Sequence, residues 1–241
     1  MALDVGADLV ELDYHLSLDG IPLVIHDSTL TRTTNAKRLW GRRRLRVAQR
    51  TESEIKTLNA GRRFGRRFAG TQVPALSEAL NLIQQSNIAL IEHKSGPPEP
   101  CLELLHNLNL ARHTVVQSFD WEYLRRFHEL EPAQILGALG PPIRFANGRK
   151  PLRLAKSLNS RWLAKLRATG ASVVVWNRKV SQRSVQLAHR HGLKVWIYTV
   201  NSPRLARRLL RSGVDGLITN DVALMRKAVR VFCDRCVEPT R

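Results

Sequence analysis

The sequence predicts an α/β chain of the (β/α)8, TIM-barrel type, lacking the first strand of such a barrel. Three observations carry this reading. Short apolar runs alternate with helical patterns along most of the 241 residues. Most of these runs are nearly continuous, as strands buried on both faces are. No Gly-x-Gly-x-x-Gly follows any of them, so a dinucleotide-binding sheet has no support. The length suits one domain over residues 1–241, and α/β barrels reach this size.

The expected strands run over Leu9 to Leu16, Pro22 to His26, Ile88 to Lys94, Thr114 to Phe119, Gln134 to Leu139, Ser172 to Asn177, Lys194 to Val200 and Gly216 to Asn220. Leu9–Leu16 and Pro22–His26 are separated by Ser17-Leu18-Asp19-Gly20, which is turn chemistry. These two form a hairpin at the barrel mouth, and only the first counts as a stave. Seven staves therefore remain, one short of a closed barrel. Residues 31–73 form a long polar insertion with ten Arg between Arg38 and Arg67.

The helices between the strands are punctuated. Ser202-Pro203 supplies an N-cap and a first-turn proline, and Gly213 sits where that helix should stop. Ser181 and Gly192 bracket Gln182 to His191, and Thr169-Gly170 closes a helix carrying Trp162, Leu163 and Leu166. Further helices are expected over Ala75 to Ser86, Glu99 to Leu108, Trp121 to Leu130 and Asp221 to Phe232.

Composition narrows the function classes. Hydrophobic residues make up 43%, enough for a sizeable core, and no apolar run approaches the roughly 20 residues that span a bilayer. Met1-Ala2-Leu3-Asp4 has neither the basic nor the apolar part of a signal peptide, so a cytoplasmic location is expected. Three cysteines do not make a disulfide scaffold, and the single Cys233-x-x-Cys236 pair lacks the four ligands of structural zinc. The net charge is +19. From Pro132 to Val214 there is no Asp or Glu, against 17 Lys or Arg. Such a field attracts phosphate-bearing partners: nucleic acid, an anionic membrane surface or a phosphorylated small molecule. A basic surface that is merely solvated is the plain alternative.

The sharpest chemistry is Glu11-Leu12-Asp13. Residues two apart on a strand face the same way, so two carboxylates enter the same space. Like charges that close repel unless they are protonated or bridged by a cation. At the C-terminal end of a barrel strand a hard divalent ion is the natural bridge. Glu92-His93-Lys94 ends the next strand and adds a third carboxylate beside an ammonium group. Glu92 and Lys94 share a face, so a buried Glu–Lys ion pair is the competing reading. An all-oxygen donor set suits calcium or magnesium better than zinc. His26-Asp27 ends the hairpin, and a histidine there is placed for acid–base work.

Taken together, these residues resemble the glycerophosphodiester phosphodiesterase family. The resemblance rests on an ordered set of motifs: Gly6-Ala7-Asp8, Glu11-Leu12-Asp13, Ser17-Leu18-Asp19-Gly20 and His26-Asp27, then Leu30 to Asn35 and Val73 to Leu80. Glu92-His93-Lys94, Gln117 to Asp120, Tyr198-Thr199-Val200-Asn201 and Gly213 to Asp221 complete it, from about residue 5 to residue 225. The resemblance implies a TIM barrel that hydrolyses glycerophosphodiesters to glycerol 3-phosphate and an alcohol, in lipid metabolism. It implies Glu11, Asp13 and Glu92 as ligands of Ca2+ or Mg2+, and Lys94 as the phosphate-binding cation. It implies His26 as one of two acid–base histidines, with Phe119 and Tyr198 walling the glycerol pocket.

The chain departs from the family pattern at its start. The His-Arg-Gly strand end and the Glu-Asn-Thr after it are absent, and Met1 to Val5 reads as the tail of a first helix. The resemblance places the second acid–base histidine and a phosphate-binding arginine in that stretch. General acid–base catalysis is worth about 10²–10⁴-fold per group, so impaired hydrolysis is expected of the chain as written. Smaller departures are Asn220 where the family usually has Asp, and Tyr198 where it has Trp. The alternative function is a non-catalytic basic module that grips RNA or anionic lipid. Such a module has no use for three converging carboxylates. The expected partner is therefore a small glycerophosphodiester, with peripheral contact to an anionic membrane and no specific nucleic acid.

Overall fold

The computed structural model describes residues 5–42, 45–151 and 157–237, without the side chains of 231 and 233–237. Met1 to Asp4, from the expected helix tail, and the side chains of Cys233 and Cys236 lie outside the described residues. Contacts group the chain into two compact units, Glu11–Thr114 and Met1–Val10 with Val115–Arg241.

The Glu11–Thr114 unit takes strand β1 (Leu9–Leu16) from its third residue onward, with β2 (Pro22–Val24) and β3 (Ile88–Ser95). Their order is β2-β1-β3. β1 is the first strand among the described residues. β2 pairs antiparallel with it, Tyr14 opposite Val24 and Leu16 opposite Pro22. The hairpin expected from Ser17–Gly20 is therefore present, and seven other strands remain among the described residues. Its turn is built by side chains. The Ser17 hydroxyl donates to Asp19 at 2.5 Å and accepts from the Ile21 N–H at 2.9 Å. Gly20 has φ +80, a conformation that a Cβ disfavours. β2 ends at Val24 rather than His26, although the Ile25 N–H still bonds the Asp13 carbonyl of β1 at 3.0 Å.

The insertion is more than a polar loop. It holds α1 (Ala36–Trp40) and α2 (Glu52–Lys56) with two short 3-10 turns. Leu23, Ile25, Leu30, Ala36, Val47, Ile55, Leu58, Val73 and Ala75 close into one buried cluster around them. Thr51 and Glu54 form a capping box that starts α2. Asp19 accepts from the Glu52 N–H at 2.9 Å and ties α2 to the hairpin. α3 (Leu76–Ile83) and α4 (Glu99–Asn107) complete the unit, each burying one apolar face.

The second unit holds β4 (Thr114–Ser118), β5 (Ile135–Gly140), β6 (Val173–Asn177), β7 (Lys194–Tyr198) and β8 (Gly216–Leu217), each beside the next. All four pairings are parallel. The helices between them are α5 (Trp121–Leu130), α6 (Ser160–Leu166), α7 (Gln182–Arg190) and α8 (Pro203–Arg211), followed by α9 (Val222–Val237). Asp120, Asn159, Ser181 and Ser202 cap α5 to α8 with their side chains. β8 is shorter than expected. Past Ile218 the Asn201 amide oxygen takes over the pairing, accepting from the Asn220 N–H at 2.9 Å and the Thr219 hydroxyl at 3.1 Å. Trp121 and Trp176 are fully buried, and Trp162 packs edge-on to Trp121. Gly140 is required beside them: a Cβ there would lie 1.8 Å from the Trp176 ring. No described helix is long and apolar enough to cross a membrane.

Candidate active site

Strand alternation places Glu11 and Asp13 on one face of β1, and Glu92 and Lys94 on one face of its neighbour β3. One carboxylate oxygen from each of Glu11, Asp13 and Glu92 lies within 4.8 Å of the others. Oxygens that each sit 2.3–2.6 Å from a shared hard cation span about that distance, so the set fits calcium, or magnesium with bound water. Glu11 is exposed, Asp13 is half-buried and Glu92 is 7% exposed.

Lys94 stands among these carboxylates. Its ammonium group is 2.9 Å from Asp13 and also bonds Glu92. The expected metal cluster and the competing Glu–Lys ion pair are thus parts of one arrangement. Burial pushes the Glu92 carboxyl above its ordinary value, against the pull of Lys94. Burial also pulls on Lys94, but the hydrogen bonds and charges of Glu92 and Asp13 outweigh it and raise its pKa. The ammonium is therefore held charged, as a phosphate partner must be.

His26 lies beyond β2 with 64% of its side chain exposed. Its Nδ1 is 2.8 Å from Asp27 Oδ1, so Nδ1 carries the proton and Nε2 is left to exchange one. Asp27 is gripped by Arg32, with Nε at 2.5 Å and Nη2 at 2.8 Å. Those hydrogen bonds, and then the one from His26, hold the Asp27 carboxyl well below the usual carboxylate range. The sequence assigns His26 of the His26-Asp27 dipeptide acid–base work but gives Asp27 and Arg32 no part in orienting its ring. The dipeptide and the Arg five residues after Asp27 were the available signal for an oriented histidine.

Two more histidines lie beneath the site. His15 donates from Nε2 to the His26 carbonyl at 3.2 Å, so its Nδ1, 2.8 Å from Ser95 Oγ, is the acceptor there. His93 donates to the Gly96 carbonyl at 2.9 Å and packs edge-on to Tyr14. Both imidazoles are thus engaged in hydrogen bonds within the unit. Burial lowers the His15 pKa and pushes His93 down to about 3.

This has a consequence for stability. In the unfolded chain His93 takes a proton near pH 6.5, whereas the folded chain keeps it neutral down to about 3. Between those values the unfolded state binds more protons, so stability falls as pH falls. The expected slope is about 1.4 kcal/mol per pH unit from His93, with His15 adding in the same direction. Urea unfolding across this window should show it, and His93→Asn should flatten it. An unchanged slope in that variant would rule out His93 as the source.

Phe119 and Tyr198 belong to the other unit. Their rings meet edge to face at 5.7 Å, and the Tyr198 hydroxyl donates to the Gly140 carbonyl at 2.8 Å. Both pack against the buried cluster of Leu139, Val173 and Val175.

The model of the glycerophosphoryl diester phosphodiesterase family matches residues 1–224. The chain belongs to that family. Its relatives include a glycerophosphodiester phosphodiesterase of Caldanaerobacter subterraneus subsp. tengcongensis, 30% identical over 236 residues that span 95% of this chain and 88% of the relative. Among solved structures, a glycerophosphodiester phosphodiesterase from Agrobacterium tumefaciens has a TM-score of 0.74 at 28% identity, covering 94% of this chain and 89% of its own. A phosphodiesterase from Oleispira antarctica, solved in complex with the product sn-glycerol-3-phosphate, shares the fold with a TM-score of 0.78 at 23% identity, over 95% and 87% of the two chains. The α/β, TIM-barrel type of fold expected from the strand alternation is thus the fold found. The chain is an enzyme of the glycerophosphodiester phosphodiesterase class, a hydrolase of phosphoric diesters.

Proposed function

We propose that the chain hydrolyses glycerophosphodiesters to glycerol 3-phosphate and an alcohol in lipid breakdown, using a divalent cation held by Glu11, Asp13 and Glu92. The observation that carries this reading is the convergence of three carboxylate oxygens within 4.8 Å of one another, two of them from groups that also bond the Lys94 ammonium. A bound cation would supply positive charge against the phosphate oxygens as the transition state forms. Lys94 binds and orients the phosphodiester beside it. Water adds to phosphorus, the bond from phosphorus to the alcohol oxygen breaks, and the proton of water ends on the alcohol. His26 moves that proton at Nε2, with Nδ1 fixed by Asp27.

The test is release of glycerol 3-phosphate from glycerophosphocholine with calcium, with magnesium and with chelator. Release with at least one metal and none with chelator is expected. Release untouched by chelator would remove the metal from the reading. No release from glycerophosphocholine or glycerophosphoethanolamine under any condition would remove the hydrolysis.

Peripheral contact with an anionic membrane has its own support. Phe64 is 78% exposed and is flanked by exposed Arg62, Arg63, Arg66 and Arg67. An exposed aromatic set among arginines suits an anionic interface, where each basic residue contributes about 1 kcal/mol. Co-flotation with phosphatidylserine vesicles should drop at least about tenfold in Phe64→Ser/Arg63→Ser. Equal flotation would refute the contact.

A further inference from the structure

We propose that the pocket between the loops following β6 and β7 is a binding site for a phosphomonoester, built from residues that the hydrolytic reading does not use. The pocket has a volume of about 630 Å³, within the range of small-molecule sites. It carries Arg178, Lys179 and Arg208, and none of the described residues lining it is a carboxylate. It lies wholly within the stretch from Pro132 to Val214 that has no Asp or Glu, so its charge has no built-in counterion in the surrounding sequence. Three cations border one cavity, and a dianion placed there is attracted by all of them.

The rim is held in place. The Asn177 amide oxygen accepts from the Lys179 N–H at 2.9 Å, and the Lys179 carbonyl accepts from the Leu158 N–H at 3.1 Å. Arg208, on α8, donates to the Arg178 carbonyl at 3.5 Å, which ties that helix to the loop after β6. Ser181 and Ser202, the caps of α7 and α8, both line the pocket. Two nine-residue helices therefore begin at the same cavity, and their N-terminal ends add partial positive charge to that of the side chains. Leu205 supplies an apolar wall, which suits a phosphate carried on a compact organic group. Arginine pairs bidentately with phosphate oxygens, and two arginines with a lysine match the charge of a monoester better than that of a diester.

The phosphate could be offered by a soluble monoester or by a lipid headgroup, and two arms of one experiment separate these sources. The full chain is titrated in chelator with inorganic phosphate and with glycerol 3-phosphate by calorimetry. It is also sedimented with phosphatidylcholine vesicles with and without phosphatidic acid. Arg178→Ala/Arg208→Ala is run beside the wild type, with Arg178→Lys/Arg208→Lys as the charge-keeping control. The expected result is saturable binding in at least one arm, weakened about tenfold or more by the alanine pair and less by the lysine pair. Loss in the soluble arm assigns a soluble monoester, and loss confined to the phosphatidic acid arm assigns the headgroup. Binding no weaker in the alanine pair overturns the site, as does the absence of binding in both arms. Hydrolysis should be unchanged in the alanine pair, so failure here and failure of the hydrolytic reading are separate results.

Discussion

Glu92→Gln should lower metal-dependent release of glycerol 3-phosphate by about 10²–10³-fold, and the half-saturating metal concentration should rise. Glu92 is the most buried of the three carboxylates. Its charge is the least screened by water, so its loss weakens the hold on a cation more than an exposed acid would. Glutamine keeps the volume and an oxygen that can still accept from Lys94, which limits the damage to the charge. Rates measured across a metal titration separate the two effects. A rise in metal requirement with full recovery at saturation means that Glu92 acts through affinity alone. A persistent loss at saturation means that it also shapes the charge facing the phosphate. Rates within about twofold of wild type at every metal concentration would exclude Glu92 from the site.

Lys94→Met should cost the folded chain about 3 kcal/mol in chelator, and calcium or magnesium should restore much of it. In the structure the ammonium bonds Asp13 and Glu92, and three acidic oxygens lie within 4.8 Å of one another. Without Lys94 these acids face each other in a half-buried space, where like charges repel strongly. A divalent cation relieves this, so the variant should gain more stability from metal than the wild type does. Hydrolysis should still fall by about 10²–10³-fold with metal present, because the phosphate has lost a charged partner. Urea unfolding with and without metal, read beside the assay, checks both halves. Wild-type stability in chelator would show that Lys94 does not neutralise the cluster.

Much of this site was legible because strand alternation is a strict rule. Glu11 with Asp13, and Glu92 with Lys94, could be paired from spacing alone, and the structure brings all four together. The parallel strands were legible for a similar reason: burial on both faces leaves continuous apolar runs between capped helices. The insertion was harder. Its core comes from residues such as Leu30, Val47, Ile55 and Val73, far apart in sequence and carried on helices of five residues or on none. Segments that short show no period, so they read as polar loop. The Asp27–Arg32 clamp on His26 was only faintly legible, because the His-Asp pair and a nearby Arg signal it but its geometry depends on how the chain bends after β2. The length of β8 failed for a different reason: Asn201 supplies from another loop the acceptor that a strand would have provided.

The strand order of the second unit bears on how this part of the chain is assembled. β4 pairs with β5, β5 with β6, β6 with β7 and β7 with β8. Val115 meets Ile135, Val173 meets Lys194 and Trp196 meets Gly216, so each pairing closes a loop of only a few dozen residues. Closure entropy grows slowly with loop length, and contacts this local favour fast folding. Each strand emerging from the ribosome finds its template in the one made just before it. The unit can therefore grow by accretion during synthesis, with one unpaired edge exposed at a time, and that edge is covered when the next helix and strand arrive.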